Sequence, residues 1–186
     1  MSYTKDLSLE TIASRMKILF FILLFSSNLL QVDLEKRKLM NDKIEILVPK
    51  DFKEMSREML DFKYRGNNKP TFVLTDDAAA VNLGFNLMPN LASEDLIETY
   101  KNYIKASFEN AFPNATWKSD GVRTINGRKV GYLKLLTEGI DQRIYNYIFL
   151  THCEGKLLFG TFNCTEKRLP AWELTAEKIV ESLKVE

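Results

Sequence analysis

The chain has 186 residues, of which 45% are hydrophobic and 27% are charged, and its formal net charge is +1. This composition is typical of one soluble globular domain and excludes a disordered chain. A charge so close to zero provides no field that would draw the protein onto nucleic acid or an anionic membrane. Two cysteines and one histidine are too few for the usual zinc sites. We therefore predict no nucleic-acid partner, no metal and no cofactor.

The most apolar stretch is MKILFFILLF at residues 16–25. Its apolar run is too short to cross a hydrocarbon core of about 30 Å, so a stable transmembrane anchor is disfavoured. A basic start, an apolar centre and a more polar end are typical of a signal peptide, which would make Met16 the true first residue of an exported, periplasmic or secreted protein. There is no A-x-A-like cleavage site, and translation from Met1 would leave the protein cytoplasmic.

Three zones follow from these patterns. Residues 1–31 form an N-terminal segment with the signal peptide, and residues 32–42, in the mixed-charge run DLEKRKLMNDK, predict a polar linker. Residues 43–186 predict the folded domain. It begins with a strand in KIEILVP, a short helix in SREMLDFKY capped by Ser56, and two strands in TFVLTDDAAAVNLGFN joined at Asp76-Asp77.

Two longer helices are predicted. The first spans residues 93–112, with Ser93 as its N-cap and Pro113 as its stop. Its apolar stripe is predicted to contain Leu96, Tyr100, Tyr103, Ile104, Ser107 and Ala111. The second begins at Pro170 and runs through AWELTAEKIVESLKV. Its buried face is predicted to contain Trp172, Ala176, Ile179 and Leu183, and its solvent face Glu173, Glu177, Lys178 and Glu181.

Between these helices the sequence predicts an antiparallel meander of four strands at 115–125, 128–138, 141–153 and 156–164, with glycine turns at Asn126-Gly127, Glu138-Gly139 and Glu154-Gly155. The third strand carries RIYNYIFL, which is apolar on both faces and therefore should be central and covered on both sides. The predicted fold is α+β, with an antiparallel sheet sandwiched between helices.

No catalytic or metal-binding set emerges. His152 and Cys153 are neighbours in a strand, so their side chains should point to opposite faces and cannot form a nucleophilic pair. Cys164 lies too far along the next strand to bond to Cys153. Asp76, Asp77 and Asp120 are interpreted as turn residues rather than cation ligands. We therefore predict that the protein is not an enzyme.

The remaining candidates concern surfaces. Asn114 and Asn163 match the glycosylation tripeptide, which often arises by chance. The aromatic residues could stack on nucleotides, but without a basic stripe core packing is the better interpretation. They are Tyr100, Tyr103, Tyr145, Tyr147, Phe149 and Phe159. Trp117, early in an edge-like strand, is the aromatic residue most suspected of facing a partner.

The order SFENAFPNATW, TINGRKVGYLKLL, QRIYNYIFLTHCEGKLLFGTFNC and EKIVESLKV resembles the PsbP-like family with its related Mog-type and DcrB-type domains. The resemblance covers about residues 43–185 and implies an α/β/α sandwich without enzymatic activity. Relatives serve as assembly or accessory factors of photosystem II, Ran-binding proteins, envelope lipoproteins and toxin chaperones. A lipoprotein would need a cysteine after the apolar segment, and none precedes Cys153.

Two functions remain open at this point. One is an exported binding or assembly module that recognises another protein through a sheet face or loops. The other is a cytoplasmic chaperone-like adaptor that shields an apolar segment of a secreted cargo protein. A genuine signal peptide at Met16 would favour the first. The sequence does not determine the oligomeric state.

Overall fold

The computed structural model describes residues 32–64 and 69–186, which form two antiparallel sheets and three α-helices. The small sheet, in the order β1-β2-β10, contains β1 (Leu34–Leu39), β2 (Ile44–Pro49) and β10 (Lys184–Val185). The large sheet, in the order β3-β4-β5-β9-β8-β7-β6, contains β3 (Lys53–Glu54), β4 (Phe72–Thr75), β5 (Val81–Leu91), β6 (Thr116–Ile125), β7 (Arg128–Glu138), β8 (Arg143–Cys153) and β9 (Lys156–Thr165). The helices are α1 (Arg57–Lys63), α2 (Ile97–Ala111) and α3 (Leu169–Glu181).

The predicted four-stranded meander is confirmed, because β6, β7, β8 and β9 are consecutive in the chain and adjacent in the sheet. The Asn126-Gly127 turn has φ values of 47° and 83°, and the Glu154-Gly155 turn has values of 50° and 72°. Both are the left-handed hairpin geometry. Gly139 is not left-handed, but a Cβ there would lie 2.5 Å from the carbonyl oxygen of Gln142. This third turn needs glycine for close backbone approach.

Strand β8 is buried on both faces, as predicted. Tyr145, Tyr147 and Phe149 are buried in the main core, together with side chains of α3 and the small sheet. On the other face, Ile148 and Leu150 are buried against side chains of α2. The large sheet therefore lies between α2 on one side and α3 with the small sheet on the other, which is the predicted α+β sandwich.

Helix α3 is held to the sheet through Glu177, which the sequence analysis placed on the solvent face. The half-buried carboxylate accepts hydrogen bonds from Lys134 and, at 3.2 Å, from the Tyr147 hydroxyl, and it lies 3.3 Å from Arg123. Burial would raise the pKa of the Glu177 carboxyl, but these partners outweigh it and lower the pKa. The prediction for this residue was wrong because the sheet supplies its cations.

Residues 34–39 form strand β1, where the sequence analysis predicted a linker. Met40, Asn41 and Asp42 adopt left-handed φ values of 56°, 58° and 61°, which turn the chain back so that β1 pairs with β2. Arg37 donates to the carbonyl oxygen of Phe52 at 2.8 Å. Backbone pairing and charged side chains thus stabilise β1. Its sequence lacks the alternation of apolar and polar residues from which a strand is usually predicted.

The two long helices also differ from prediction. Helix α3 ends at Glu181, because Lys184–Val185 leave it to pair with β2. Ser93 does not cap α2: its hydroxyl donates to Asp95 at 2.6 Å, and a 3-10 turn at Glu94–Leu96 precedes the α-helix. The sheet-facing side of α2 contains Ile97, Lys101, Ile104 and Phe108. Of the predicted stripe, Leu96, Tyr103, Ser107 and Ala111 are exposed.

Gly160 allows two aromatic rings to meet across a strand. In the sheet register Gly160 of β9 lies between Phe85 of β5 and Phe149 of β8. The two rings pack edge to face with centroids 5.9 Å apart. A Cβ at Gly160 would lie 2.1 Å from the Phe149 ring, so the aromatic packing requires glycine here.

We predict that Gly160→Ala destabilises the protein by roughly 2–3 kcal/mol, because a core ring must leave its rotamer. Gly84→Ala is the matched control, since a Cβ on this β5 residue would meet Val73 at an ordinary 3.5 Å. The control should change the free energy of unfolding by less than about 0.5 kcal/mol. Denaturant melts of both variants test this. Equal stability of the two variants would contradict the described packing of Phe149.

Candidate functional site

Helix α2 is anchored over the edge of the large sheet by an ion cluster. Asp120 on β6 accepts hydrogen bonds from Lys101 at 2.9 Å and from Lys105 at 2.8 Å. These two hydrogen bonds lower the pKa of the Asp120 carboxyl. The stem of Lys101 lies directly over Gly131 of β7, where a Cβ would come within 3.0 Å of it. The helix is thereby fixed over β6 and β7.

The position of α2 leaves part of this sheet face without helix cover. Strands β9 and β5 continue the sheet beyond β8. On the α2 side the middle of β9 and Asn86 of β5 are only partly buried, whereas Asn82 and Gly84 of β5 are buried. We call this area, between α1 and α2, the open sheet face. Its floor contains Asn82, Gly84 and Asn86 of β5, Phe159, Thr161 and Asn163 of β9, and Asn146 of β8.

One rim of the open sheet face is the exposed stripe of α2. Tyr100 and Tyr103 of α2 lie on the same side as Leu96 of the preceding 3-10 turn, about a quarter turn from the residues packed on the sheet. The lysines of α2 point to β6, so this stripe faces β9 and β5. Tyr100 donates to the carbonyl oxygen of Leu91 at the end of β5, at 2.7 Å. Leu91 and Tyr103 are both largely exposed, which gives the rim an apolar surface.

The other rim is formed by the end of α1 and by Tyr64. Ser56 caps α1 as predicted, accepting from the backbone N–H of Met59 at 3.2 Å. The helix ends at Lys63, and Tyr64 lies over the floor. A cavity of about 150 Å³ is lined by Tyr64, Pro70, Gly84, Phe85, Asn86, Phe159 and Thr161.

A row of polar side chains crosses the floor at one end of the strands. Asn82, Asn163 and Asn146 are in register on the adjacent strands β5, β9 and β8. Asn82 donates its amide to Asn163 at 2.8 Å, and Asn146 donates to Thr137 of β7 at 3.0 Å. We call these four residues the amide row. Four neighbouring strands each contribute one amide or hydroxyl group to it.

The amide row has a directed chain of hydrogen bonds at its β5 end. Thr75 donates to the Asn82 carbonyl oxygen at 2.7 Å, and Asn82 donates to Asn163. Burial raises the pKa of Tyr64, against the opposing effect of Asn163.

The amide row lines a cleft of about 730 Å³, which we call the amide cleft. Phe62 of α1 borders one side of it and Ile140, in the turn between β7 and β8, borders the other. Both side chains are largely exposed, at 68% and 101%. The floor of the cleft is polar while its borders are apolar, an arrangement typical of sites that orient a ligand through a few polar groups.

Among the described residues that line the amide cleft, the charged ones are Lys63 and Asp141. Burial lowers the pKa of the Lys63 amine, whose nitrogen donates to the carbonyl oxygen of Ala79.

The histidine and the cysteines do not form a catalytic set. Cys153 lies opposite Lys156 as predicted, and its side chain is in the main core. His152 points to the other face, where its Nε2 lies 3.1 Å from Glu94. Cys153 and Cys164 are free and buried, and burial raises the pKa of both thiols, that of Cys164 to about 12. Neither thiol is poised as a nucleophile at neutral pH.

Of the three aspartates predicted as turn residues, Asp76 and Asp77 follow β4 as expected, whereas Asp120 lies inside β6, so the turn interpretation was wrong for it. Asp76 accepts from the backbone N–H groups of Ala80 and Val81 and pairs with Arg168 at 2.9 Å. Asp77 pairs with Lys53 at 3.0 Å. Within residues 32–64 and 69–186 there is no group of three or more His, Cys, Asp or Glu side chains placed to hold a metal ion. No helix in the same residues is long and apolar enough to cross a membrane.

The predicted surface candidates occupy different positions. Trp117 on β6 is half-buried beneath α2, and Lys105 lies 5.5 Å from its ring centroid. It lies on the far side of α2 from the open sheet face and stays a candidate for partner contact at the sheet edge.

Asn163 belongs to the amide row, whereas Asn114 lies in the exposed turn before β6. Tyr103 is exposed, so core packing was the wrong interpretation for it.

Sequence reasoning missed the amide row. Its signal is one asparagine inside each of three strand sequences, VNLGF, YNYIF and FNCT. Asparagine is depleted in strands, so three such positions within strand sequences indicate a special role. That these asparagines lie side by side depends on how β5, β9 and β8 pair, which the sequence patterns do not reveal.

Several solved structures share this architecture. Cyanobacterial PsbP from Synechocystis sp. PCC 6803 is 17% identical, with a TM-score of 0.58 over 84% of this chain and 94% of that chain. The Ran-binding protein Mog1p of Saccharomyces cerevisiae is 10% identical, with a TM-score of 0.54 over 83% of this chain and 96% of that chain. This chain has the PsbP and Mog fold. The resemblance seen in the sequence is confirmed for the fold.

A third structure with this fold is LpqN of Mycobacterium tuberculosis, described as involved in cell envelope biogenesis. It is 10% identical to this chain, with a TM-score of 0.53 over 82% of this chain and 91% of that chain. No protein-family model and no curated relative matches the sequence. At these identities the similarity shows the fold, and function has to be argued from the surfaces of this chain.

Proposed function

We propose that the protein is a non-enzymatic accessory or assembly factor that binds another protein through the open sheet face. The observation that carries the proposal is the open sheet face itself, where α2 is anchored over β6 and β7 and leaves its apolar stripe beside strands without helix cover. Exposed apolar surface next to polar groups is typical of protein-interaction sites. Binding roles described for proteins of this fold, such as Ran binding by Mog1p, are consistent with it.

The positions of the exposed side chains support this proposal. Leu91 and Tyr103 border the open sheet face at one end, and Phe62 and Ile140 border it at the other. Aromatic and aliphatic anchors around a partly polar centre are the composition of a transient protein interface. Reactive groups are absent from this surface as far as the described residues go.

We further propose that the protein is exported, with translation starting at Met16. The signal-like segment lies outside the described residues, so its sequence pattern carries this part of the proposal. The envelope role described for LpqN is in keeping with it. The second candidate function is a cytoplasmic chaperone-like adaptor for a secreted cargo, which the apolar borders of the open sheet face would also suit.

Photo-crosslinking in the native host tests the proposed binding surface. A benzoylphenylalanine placed at Tyr103 or at Ile140 should give discrete crosslinked products with one partner protein. Leu174 on α3 is the matched control, because it is 70% exposed, as Tyr103 is 71% exposed, and lies on the opposite side of the sheet. Crosslinks from Leu174 alone, or none from any of the three positions, would refute binding through the open sheet face.

Cell fractionation separates the two functions. We predict that the mature protein is found outside the cytoplasm and that its N-terminus lies downstream of Met16, because the signal segment is removed on export. N-terminal sequencing of the protein from each fraction measures this. Soluble cytoplasmic protein that begins at Met1 would contradict export and favour the chaperone-like adaptor.

A further inference from the structure

We propose that the chain forms a symmetric dimer in which strand β6 pairs antiparallel with β6 of a second copy, in a register centred on Val122. This interaction surface is separate from the open sheet face and goes beyond the proposed function. The hydrogen-bonding groups along the outer edge of β6, the side-chain pattern of the strand and the position of α2 all support it.

Strand β6 is the last strand of the large sheet, and among the described strands it pairs with β7 alone. The residues that flank the two-residue turn at Asn126-Gly127 form a hydrogen-bonded pair, and such pairs recur at every second residue of an antiparallel ladder. The backbone N–H and C=O groups of Asp120, Val122 and Thr124 therefore point away from β7. No backbone hydrogen bond from another described residue reaches them.

The length of β6 that can pair is short and bounded at both ends. The bulge between Trp117 and Ser119 interrupts the ladder at one end, and the turn at Asn126-Gly127 ends the strand at the other. Regular pairing is thereby limited to residues 120–125. Because self-pairing uses the same edge of both copies, it closes at two copies and leaves no edge of β6 for a third.

The side chains of β6 favour one register of self-pairing. With Val122 opposite Val122 of the second copy, Asp120 lies opposite Thr124 and Gly121 lies opposite Arg123. No like charges are then directly opposite, and a β-branched pair occupies the centre. A register centred on Asp120 would place two carboxylates opposite each other, and one centred on Arg123 would do the same with two guanidinium groups. A register centred on Gly121 would form two hydrogen-bonded residue pairs instead of three.

The charged groups of Asp120 and Arg123 are held over their own chain rather than beyond the edge. The Asp120 carboxylate accepts hydrogen bonds from the two lysines of α2. The Arg123 guanidinium lies 5.2 Å from the ring centroid of Tyr132 and 5.9 Å from that of Tyr147, so it extends inward over β7 and β8. Edge strands often repel other strands through outward-facing charges. These two charges do not oppose a second strand beside Val122.

Helix α2 leaves room for the second copy. It packs on β6, β7 and β8, and the stem of Lys101 lies over Gly131 of β7, so the helix axis lies near β7. In the dimer the two β7 strands would be three strand spacings apart, or about 14 Å. Packed helices are about 8–10 Å apart. The two copies of α2 would therefore lie side by side without a clash.

Sedimentation equilibrium of the full-length protein tests the dimer. Pairing over so short a strand should give a weak dimer, with a dissociation constant of roughly 10–100 μM. Val122→Pro removes the central N–H, which β7 does not use, and proline is tolerated at such an edge position. It should weaken dimerisation at least about tenfold, because two hydrogen bonds at the centre are lost. Val122→Thr keeps the N–H and the branched side chain and should dimerise like the parent protein.

Two cysteine variants test the register. The Cα atoms of a hydrogen-bonded antiparallel pair are about 5.5 Å apart, so Val122→Cys should form an intermolecular disulfide on mild oxidation. Thr124→Cys is the matched control. Thr124 is more exposed than Val122, yet its two copies would be more than about 13 Å apart. The native Cys153 and Cys164 are buried, so they should not interfere.

Three results would overturn the inference. They are a protein that stays monomeric at about 1 mM, dimerisation that Val122→Pro leaves unchanged, and a disulfide that forms from Thr124→Cys as readily as from Val122→Cys. The second result would assign self-association to another surface. If Val122→Pro does not fold, the two cysteine variants decide the matter alone. The tests leave the open sheet face unaltered, so their outcome is independent of the proposed function.

Discussion

The ion cluster of Lys101, Lys105 and Asp120 determines which strands helix α2 covers. A lysine that is almost fully buried needs its charge paired, and the partner lies on β6 at the sheet edge. The glycine at position 131 lets the Lys101 stem lie against β7. The helix consequently lies mainly over β6, β7 and β8 and reaches β9 and β5 only through Leu157, Phe159 and Leu91. Breaking this cluster would leave a buried charge without a partner, which is why the position of α2 is well determined.

The remaining architecture follows from that position. Strand β8 is apolar on both faces and is covered by α2 on one and by α3 with the small sheet on the other. Strands β9 and β5 are apolar on the α3 side, whereas their other face mixes Leu157 and Phe159 with asparagine, threonine and glycine. A sheet face of this composition can remain partly solvated. The polar residues on this face do not need to be covered by α2. Their side chains also provide the hydrogen-bonding groups of the amide row.

Local signals in the sequence predicted the hairpins, the two-faced strand β8 and the cap of α1, because each depends on neighbouring residues. They failed where distant residues decide the outcome. The periodicity of α2 fits two overlapping faces, and the choice between them depends on Asp120, which lies 19 residues from Lys101. The amide row joins Asn82 to a residue 81 positions away. Strand β1 lacked an apolar pattern and depends on contacts with the segment after β2.

Hydrogen–deuterium exchange on the purified complex with the crosslinked partner tests the central claim most directly. If the open sheet face is the binding surface, the complex should slow exchange at the end of α1, at the turn around Ile140 and in β5. Exchange in α3 and β6 should be unchanged, because these elements lie on the opposite side of the sheet or beyond α2. Slowed exchange confined to α3, β6 or the small sheet would contradict the account.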